Sequence, residues 1–365
     1  MDPIRTWHDL LNSDLPEKEL FQGLKRIYTE NPPSVAEIIM NSYCPNRCRH
    51  CIYPPDFHIH NKNMGIEKWK NAFELIYGEL GFRRFIFDGR GLSNSCIEAI
   101  RYIKNNMHDA KIGLITDGVS AEPCLEDLVL LPLDWVDISV DGLEKDHDTQ
   151  RGSKGAFRKT VRILNELKDS GRYEKVNIAT CLTSININTI LEMIESLNKE
   201  GFKNFFVTPV SIMEGYRPDP ELRLSDEQFV GFIDDLIEKA RDFSDTWLEV
   251  GIYEAMYANA IKRMKPDLFE EFLMDYEHLE LRKMCGDNEV HICYYPSSLT
   301  GTREFVLNAD GNIIPPKVMA MGEIPRTLVF GNILEASLDI FRELIDKEAF
   351  SFYGSELMEE KVALN

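Results

Sequence analysis

Three cysteines in one short segment are the residues of this chain best suited to chemistry. The segment CPNRCRHC at positions 44–51 spaces its thiols as C-x3-C-x2-C, directly after the apolar run at 35–40. Three thiolates can hold a cluster of four irons and four sulfides while one iron keeps a position for another ligand. The spacing therefore predicts a [4Fe-4S] cluster held by Cys44, Cys48 and Cys51.

Two other interpretations of the cysteines stay open at this level. A structural zinc ion takes four nitrogen or sulfur ligands, and His50 is badly placed to share a metal with Cys51, its neighbour in the chain. Disulfides need an oxidising compartment, and the start of the chain lacks the apolar core of a secretory signal. The expected location is therefore the reducing cytoplasm, which an oxygen-sensitive cluster would require.

Length and charge narrow the classes of protein and partner. The chain has 365 residues, enough for one large domain with a smaller appendage. Its formal net charge of -20 argues against nucleic acid as the main partner, because phosphate backbones are bound by clustered Lys and Arg. No apolar run approaches the length of a membrane span, about 18 residues, so no membrane partner is expected.

Strand-like and helix-like patterns alternate between residues 35 and 210. Such alternation with short loops predicts repeated βα units in a parallel sheet, which right-handed crossovers would curl. The predicted fold is α/β, a partial (β/α)6 TIM-like barrel at 35–222, with an N-terminal helical segment at 1–34 and a smaller α+β C-terminal extension at 223–365. Strands are expected at 35–40, 84–87, 111–115, 135–140, 175–182 and 205–210, and helices at 66–80, 95–106, 122–131, 156–170 and 189–200.

The cysteine loop follows the first predicted strand, where parallel α/β folds place their working groups. Its spacing, with His50 before the last cysteine, resembles the signature of the radical S-adenosylmethionine (SAM) superfamily. The resemblance implies that the amino and carboxylate groups of SAM bind the open iron. It also implies that one electron from the cluster splits SAM to give a 5′-deoxyadenosyl radical, which removes a hydrogen atom from an unactivated C–H bond.

Loops at successive strand ends extend this resemblance over about residues 35–216. The turn ITDG at 115–118, the segment DISVDG at 137–142 and the run HDTQRG at 147–152 look like family motifs, and the last is similar to that of molybdopterin-precursor synthases and SPASM-type peptide maturases. Asp88 stands in a loop where the family usually has Gly-Gly-Glu-Pro, so it is the candidate for the missing carboxylate. Arg151 would pair with the SAM carboxylate. The resemblance thus implies SAM contacts from His50, Asp88, Gly89, Arg90, Gly91, Thr116, Ser139, Arg151 and Thr208.

The C-terminal part predicts helices at 225–243 and 253–283 and then a hairpin around Asp310 and Gly311. This hairpin resembles the SPASM or twitch extension that holds auxiliary clusters in related enzymes. Pro-Pro-Lys at 315–317 stands where the family has a cysteine, and Cys285 and Cys293 are too few to ligate a second cubane. An auxiliary cluster is therefore not expected, and the extension would cover the barrel and shape the substrate cavity.

Four further side chains are candidates for facing the reaction. Cys181 and Cys293 could donate a hydrogen atom to a substrate radical, as in radical epimerases, although a cysteine outside a metal site is more often a small buried hydrophobe. The loop at 52–60 is dense in polar and aromatic groups, and Tyr53 and His58 are its candidates for contacting SAM or substrate.

The substrate is expected to be a small polar molecule, a sugar or aminoglycoside, that is oxidised, deoxygenated or epimerised in antibiotic metabolism. This expectation rests on the missing auxiliary cysteines and on a loose resemblance of the Pro-Pro-Asp loop at 54–56 to enzymes that tailor aminoglycosides or nucleoside sugars. One alternative is a ribosomal-peptide (RiPP) maturase, suggested by the SPASM-like tail, although about 34 residues before the first strand leave little room for a leader-binding module. Another is a non-catalytic iron-sulfur or zinc protein. An enzyme would need an electron donor such as flavodoxin or ferredoxin, and a net oxidation would call for a separate reductase.

Overall fold

The computed structural model describes residues 6–30, 34–41, 43–53, 63–88, 92–173, 175–212, 219–274, 278–300, 304–316, 326–335 and 350–364. All six strands predicted before residue 211 are present. They are β1 (Val35–Ile38), β2 (Arg84–Asp88), β3 (Lys111–Thr116), β4 (Trp135–Ser139), β5 (Val176–Leu182) and β6 (Asn204–Pro209). Each pairs in parallel with the next, which confirms the series of βα units.

The sheet does not stop at the sixth strand. The later strands are β7 (Trp247–Ile252), β8 (Leu273–Met274), β9 (Leu279–Cys285), β10 (Asn288–Tyr294), β11 (Glu304–Leu307), β12 (Asn312–Ile314) and β13 (Gly331–Asn332). Within the described ranges the strand order is β13-β12-β11-β1-β2-β3-β4-β5-β6-β7-β10-β9-β8, and the sheet is not closed. The C-terminal part therefore shares the sheet of the barrel at both of its edges.

In the described part of the chain, helices precede, connect and follow the strands. They are α1 (Trp7–Leu11), α2 (Glu17–Glu30), α3 (Ile66–Glu74), α4 (Asn94–Asn106), α5 (Gly118–Ala121), α6 (Leu125–Leu130), α7 (Glu144–Arg151), α8 (Ala156–Ser170), α9 (Ile190–Lys199), α10 (Asp226–Lys239), α11 (Ala255–Met264), α12 (Pro266–Phe269), α13 (Ser297–Thr300) and α14 (Ser351–Leu364). The five helices predicted between the six strands are confirmed, with the one at 122–131 divided into a 3-10 turn and α6. Helices α1 and α2 lie in the segment predicted to be helical.

The prediction of one helix at 253–283 is wrong beyond residue 264. Helix α11 ends at Met264, the short α12 follows directly, and β8 and β9 occupy much of the remainder. Pro266 explains the break, because proline disfavours a helical conformation in the residue before it and is tolerated at the first turn of a new helix. Strand β9 then pairs antiparallel with β10.

The hairpin predicted near residue 310 is confirmed. Strands β11 and β12 pair antiparallel, with Val306 opposite Ile314 and Leu307 opposite Ile313. Gly311 takes a φ of 86° in the turn between them, a conformation that glycine adopts without the strain a side chain would bring.

Each strand of the barrel has two different faces. On β2, the side chains of Phe85 and Phe87 are buried and pack against Phe73 of α3, at ring centroid distances of 6.2 and 5.9 Å. The alternate residues of the strands point to the opposite side of the sheet, here called the inner face. Side chains of the inner face include Glu37, Ile86, Asp88, Asp137, Ser139, Asn177, Phe206, Glu249 and His291, as the strand registers show.

The sheet curls so that distant strands approach one another. Tyr253, which directly follows β7, has 39% of its surface accessible. Desolvation of its hydroxyl raises the pKa of that group, and the charges of Glu304 on β11, Glu249 on β7 and Glu37 on β1 raise that pKa further. Because β7 and β1 are six places apart in the sheet, their common neighbour indicates a partial barrel around a cavity. None of the helices described is long and apolar enough to cross a membrane.

Candidate functional site

The cysteine loop begins just after β1, at the carboxyl end of that strand. Cys44 and Cys48 are buried, with 6% and 8% of their surfaces exposed, and Cys51 is half-buried. The N–H of Cys51 donates to the carbonyl of Cys48 over 3.2 Å, which closes a turn between two of the thiols. All eight cysteines of the chain are reduced, so the disulfide interpretation is not supported.

The loop is fastened to the C-terminal end of α7. The N–H of Arg49 donates to the carbonyl of Gln150 over 2.8 Å, and the N–H of Arg47 donates to that of Arg151 over 3.4 Å. Gly152 ends the helix with a φ of 61°, and a Cβ at this position would lie 2.4 Å from the carbonyl oxygen of Arg47. Glycine is therefore needed at this position both for its left-handed conformation and for the close approach of the loop.

A buried ion pair lies beside the cysteines. Arg151 Nε is 2.5 Å from Asp141 Oδ2, and the two side chains are 11% and 0% exposed. Nη1 of the same guanidinium is 3.9 Å from Cys48 Sγ. Arg151 thus lies between a carboxylate and one of the three thiols, and its buried charge depends on Asp141 for compensation.

The charges of the pair act on the nearby groups Cys48, His50 and His147. Burial raises the pKa of Cys48 to about 12, and the positive charge of Arg151 acts in the opposite direction. Burial also opposes the charged form of Asp141, but Arg151, followed by His50 and His147, holds the pKa of that carboxyl below its ordinary value. A cation next to a cysteine favours the thiolate, which is the form that binds metals.

Asp141 also joins the ends of two strands to α7. Its Oδ1 accepts a hydrogen bond from the N–H of Cys181 on β5 over 2.9 Å. Its own N–H donates to His147 Nδ1 over 3.0 Å, and its carbonyl accepts from the Asn186 amide over 3.0 Å. Burial lowers the pKa of His147 to about 4 although the charge of Asp141 raises it, so this ring is neutral and carries its proton on Nε2. Asp141 therefore links the end of β4 to β5 through its side chain and to α7 through its backbone.

A second polar contact ties the loop to β3. Asn46 Nδ2 donates to Asp117 Oδ1 over 2.7 Å, and both residues are buried. Asp117 also caps α5 by accepting from the N–H groups of Val119 and Ser120. The preceding residue, Thr116, is buried at the same strand end with 4% exposure. The ITDG turn therefore contacts the cysteine loop, as its position after the third strand predicts.

The second strand contributes Asp88, which is half-buried at the carboxyl end of β2. Tyr53 is buried with 6% exposure, and its hydroxyl is 3.5 Å from Asp88 Oδ2, so the structure brings together two residues that the sequence singles out separately. Gly89, Arg90, Gly91 and His58 lie outside the described residues.

The remaining predicted residues divide between the cysteine loop and a more distant part of the sheet. Ser139 ends β4, while Cys181 and Thr208 are register partners on β5 and β6. Burial raises the pKa of Cys181 well above its ordinary value, and Asp141, Arg151 and Cys48 all lie close enough to influence it. Cys293 is on β10, three strands away from β5, opposite Gly251 of β7. The structure thus places only one of the two candidate hydrogen donors near the triad.

Sequence reasoning missed four residues of the site. Asp141 and Gln150 lie inside longer motifs, where an aspartate at a strand end and a glutamine at a helix end are suited to bind backbone groups. Gln150 donates to the carbonyl of Cys181 and accepts from the Thr183 hydroxyl, at 2.7 and 2.6 Å. Asn46 and Asp117 gave no signal beyond their places in two loops, because their contact joins positions far apart in the chain.

The donor set fits an iron-sulfur cluster with SAM. Among the residues that the structure describes, the three thiols do not form a group tight enough for one metal ion, as expected of ligands to three different irons. Two buried polar atoms at the loop, Asn46 Oδ1 and His50 Nδ1, have no hydrogen-bond partner in the described part of the chain. Burial lowers the pKa of His50 to about 4 against the opposing charge of Asp141, so its ring is neutral.

Comparisons with known proteins find one family model and several solved structures that are similar to this chain. The model of the Radical SAM superfamily matches residues 38–207. The structure of SuiB from Streptococcus suis bound to the precursor peptide SuiA is similar with a TM-score of 0.65 at 12% identity, over 93% of this chain and 72% of that one. SuiB bound to S-adenosylmethionine gives a TM-score of 0.63 at 13% identity, over 90% of this chain and 71% of that one.

A third solved structure is anSMEcpe with bound AdoMet and the Kp18Cys peptide. It has a TM-score of 0.56 at 16% identity, over 88% of this chain and 83% of that one. No curated protein matches the chain. The cysteine loop, the succession of motifs at strand ends and the match to the family model together show that residues 38–207 of this enzyme form a radical SAM domain, whose family uses a [4Fe-4S] cluster and SAM.

Proposed function

We propose that this enzyme modifies a peptide. The observation that carries the proposal is the extent of the structural similarity: SuiB bound to its precursor peptide shares the fold over 93% of this chain, well beyond the barrel. The anSMEcpe structure with a bound peptide supports the same substrate class. A small polar substrate, which the sequence favours, has no comparable support from these structures.

The cluster and SAM, when bound, supply a 5′-deoxyadenosyl radical that can abstract a hydrogen atom. The residues of the chain have to hold these groups and exclude water. Cys44, Cys48 and Cys51 would bind three irons, and Arg151 would compensate the negative charge that collects at Cys48. Ser139, Thr116 and Asp88 lie at adjacent strand ends, where they would orient SAM above the inner face.

The further roles predicted from the sequence belong to this proposal. Cys181 would lie close enough to the triad to meet a radical formed there. Burial also raises the pKa of its thiol, so the S–H group stays protonated at neutral pH. An S–H group is what a hydrogen donor requires. If Cys181 donates a hydrogen atom to the substrate radical, the reaction is an epimerisation. If Cys181 takes no part, oxidation or elimination is favoured.

A cationic small molecule such as an aminoglycoside is the second candidate. The inner face supports it, because Glu37, Glu249 and Glu304 all lie near Tyr253 in the cavity of the curled sheet. Asp137 lies on the same face. Clustered carboxylates favour a positively charged ligand, and the chain as a whole carries a net charge of -20.

The test is SAM cleavage by anaerobically reconstituted enzyme with a chemical reductant. Peptides with and without lysine and arginine are compared with a panel of aminoglycosides for their ability to raise the rate of 5′-deoxyadenosine release. A peptide made with deuterium at exchange-resistant C–H positions should transfer deuterium into 5′-deoxyadenosine. Stimulation and label transfer by an aminoglycoside alone would instead favour the second candidate.

A matched pair of variants connects that result to the cluster. The Cys48→Ala variant should release no 5′-deoxyadenosine with any substrate, because one iron loses its thiolate. Cys96→Ala removes another buried thiol, on α4 and outside the cluster loop, and should retain activity. Equal activity in both variants would contradict the assignment of the cluster.

A further inference from the structure

A second group of metal-binding side chains lies in the C-terminal part of the sheet, away from the cysteine loop. It consists of His278, Glu280 and Cys293, each of which offers one ligand atom, and these three atoms all lie within 4.8 Å of one another. The part of the chain that the structure describes contains no other group of three such residues. We infer that these residues form a binding site for a single zinc ion.

Strand pairing brings the three residues together. Glu280 on β9 and Cys293 on β10 are directly opposite in the antiparallel ladder, so their side chains lie on the same face. His278 precedes Glu280 by two residues, which places it on that face as well. The site is thus built mainly on a regular hairpin, whose backbone holds two of the ligands at a fixed separation.

The donor set suits zinc. Histidine nitrogen, carboxylate oxygen and cysteine thiolate are its usual protein ligands, with bonds of about 2.0–2.3 Å. A tetrahedral site with these bonds separates its ligand atoms by about 3.5 Å. His278 and Glu280 are half-buried, so rotation of their side chains can close the remaining gap. Three protein ligands leave a fourth position for water or for a substrate group.

A neighbouring histidine positions the carboxylate ligand. His291 Nδ1 is 2.5 Å from Glu280 Oε1, and the other oxygen, Oε2, is 3.4 Å from Nη2 of the exposed Arg282 side chain, a long contact that a bound metal would replace.

The surroundings are polar and negatively charged. Glu249 is buried and accepts a hydrogen bond from the Tyr295 hydroxyl at 2.5 Å, and the Tyr295 ring packs against His278 at a centroid distance of 5.0 Å. Both Glu249 and Cys293 raise the pKa of Tyr295, after burial. A divalent cation would offset this concentration of negative charge and fix the position of His278 against Tyr295.

The zinc site excludes another role for one of its ligands. A cysteine bound to zinc is a thiolate and has no S–H hydrogen. Cys293 could then not be the hydrogen donor, and Cys181 would be the remaining candidate of the two. The inference itself does not depend on which substrate the enzyme uses.

The test measures zinc on the full chain with its iron-sulfur cluster already assembled. Protein equilibrated anaerobically with zinc and then desalted should contain one zinc ion per chain in addition to the cluster iron. The Cys293→Ala and Glu280→Gln variants should lose that zinc, and Cys285→Ala should keep it, since Cys285 is a buried thiol at the other end of β9. Zinc-free wild-type protein, or equal zinc in all variants, would overturn the inference.

X-ray absorption at the zinc edge identifies the ligands independently of protein folding. One sulfur among nitrogen and oxygen neighbours is the expected first shell, whereas three sulfurs would place the zinc at the cluster cysteines and contradict the inference. Replacing His291 with phenylalanine keeps all three ligands and should weaken zinc binding by about 10- to 100-fold, the usual effect of removing a group that orients a ligand. Unchanged affinity in this variant would show that His291 does not position Glu280.

Discussion

Replacing Asp141 with asparagine tests the contact on which the geometry of the cysteine loop depends. The substitution keeps the size of the side chain and an oxygen that can accept the hydrogen bond from Cys181. It removes the negative charge 2.5 Å from Arg151 Nε. What changes is therefore the compensation of a buried guanidinium.

The expected cost follows from burial. Asp141 is fully buried and the Arg151 side chain is only 11% exposed, so solvent cannot replace the lost charge. Removing one partner of a buried ion pair typically lowers the free energy of unfolding by about 3–5 kcal/mol. We expect the free energy of unfolding to fall by roughly that amount, with a parallel loss of cluster, since the loop is anchored on α7 next to Arg151.

Asp109→Asn is the matched control. Asp109 pairs with Arg83 at 2.8 Å, but the two side chains are 64% and 43% exposed. Solvent screens this pair, so its loss should lower the free energy of unfolding far less than the loss of the Asp141 charge does. Both variants replace an aspartate with asparagine, so comparing them separates the effect of burial from the effect of removing a charge.

The assay is denaturant unfolding of the cluster-free chain under reducing conditions, followed by iron determination after reconstitution. A third variant, with Asp141→Asn and Arg151→Gln together, should be more stable than the sum of the two single changes predicts, because the double change leaves no buried charge behind. If Asp141→Asn is no less stable than Asp109→Asn, or if the double variant is simply additive, the reasoning about the buried pair is refuted.

Two further outcomes follow from the same structure. Gly152→Ala should lower the iron bound per chain, because its Cβ would lie 2.4 Å from the Arg47 carbonyl oxygen. Gly155 also has a positive φ, but a Cβ there would contact nothing within 4 Å, so Gly155→Ala should keep a normal iron content. Equal loss of iron in both variants would contradict the importance of the contact with Arg47. Burial raises the pKa of Asp137 to about 6 from 3.8, so the folded state binds more protons than the unfolded state between these values, and stability should fall as pH rises from about 4 to 6. The fall amounts to at most about 3 kcal/mol. Unfolding measured across this pH range should show it in the wild type but not in Asp137→Asn, and parallel curves for the two proteins would contradict the assignment.

Much of the barrel is predictable because local patterns and tertiary structure agree there. Strands such as β6 alternate buried and half-buried residues, and helix α8 has a buried stripe with glycines before and after it. The order of the motifs then follows, since each βα unit delivers its loop to the same end of the sheet. The prediction that Cys44, Cys48 and Cys51 hold the cluster follows from their spacing alone.

The parts that were missed depend on contacts between distant residues. Strand β7 lies between two predicted helices, and only its pairing with β6 and β10 reveals that the sheet continues. The roles of Asp141 and Asn46 depend likewise on partners far along the chain. Periodicity is a local property and contains no information about such pairs.

The most direct test of the central claim is SAM cleavage by the reconstituted enzyme. Anaerobically purified protein loaded with iron and sulfide should contain one [4Fe-4S] cluster per chain and, with SAM and reductant, release 5′-deoxyadenosine. Alanine at Cys44, Cys48 or Cys51 should abolish that release, and alanine at Cys96 should not. Protein that keeps its activity without one of the three cysteines, or that binds zinc at them in place of iron, would contradict the account.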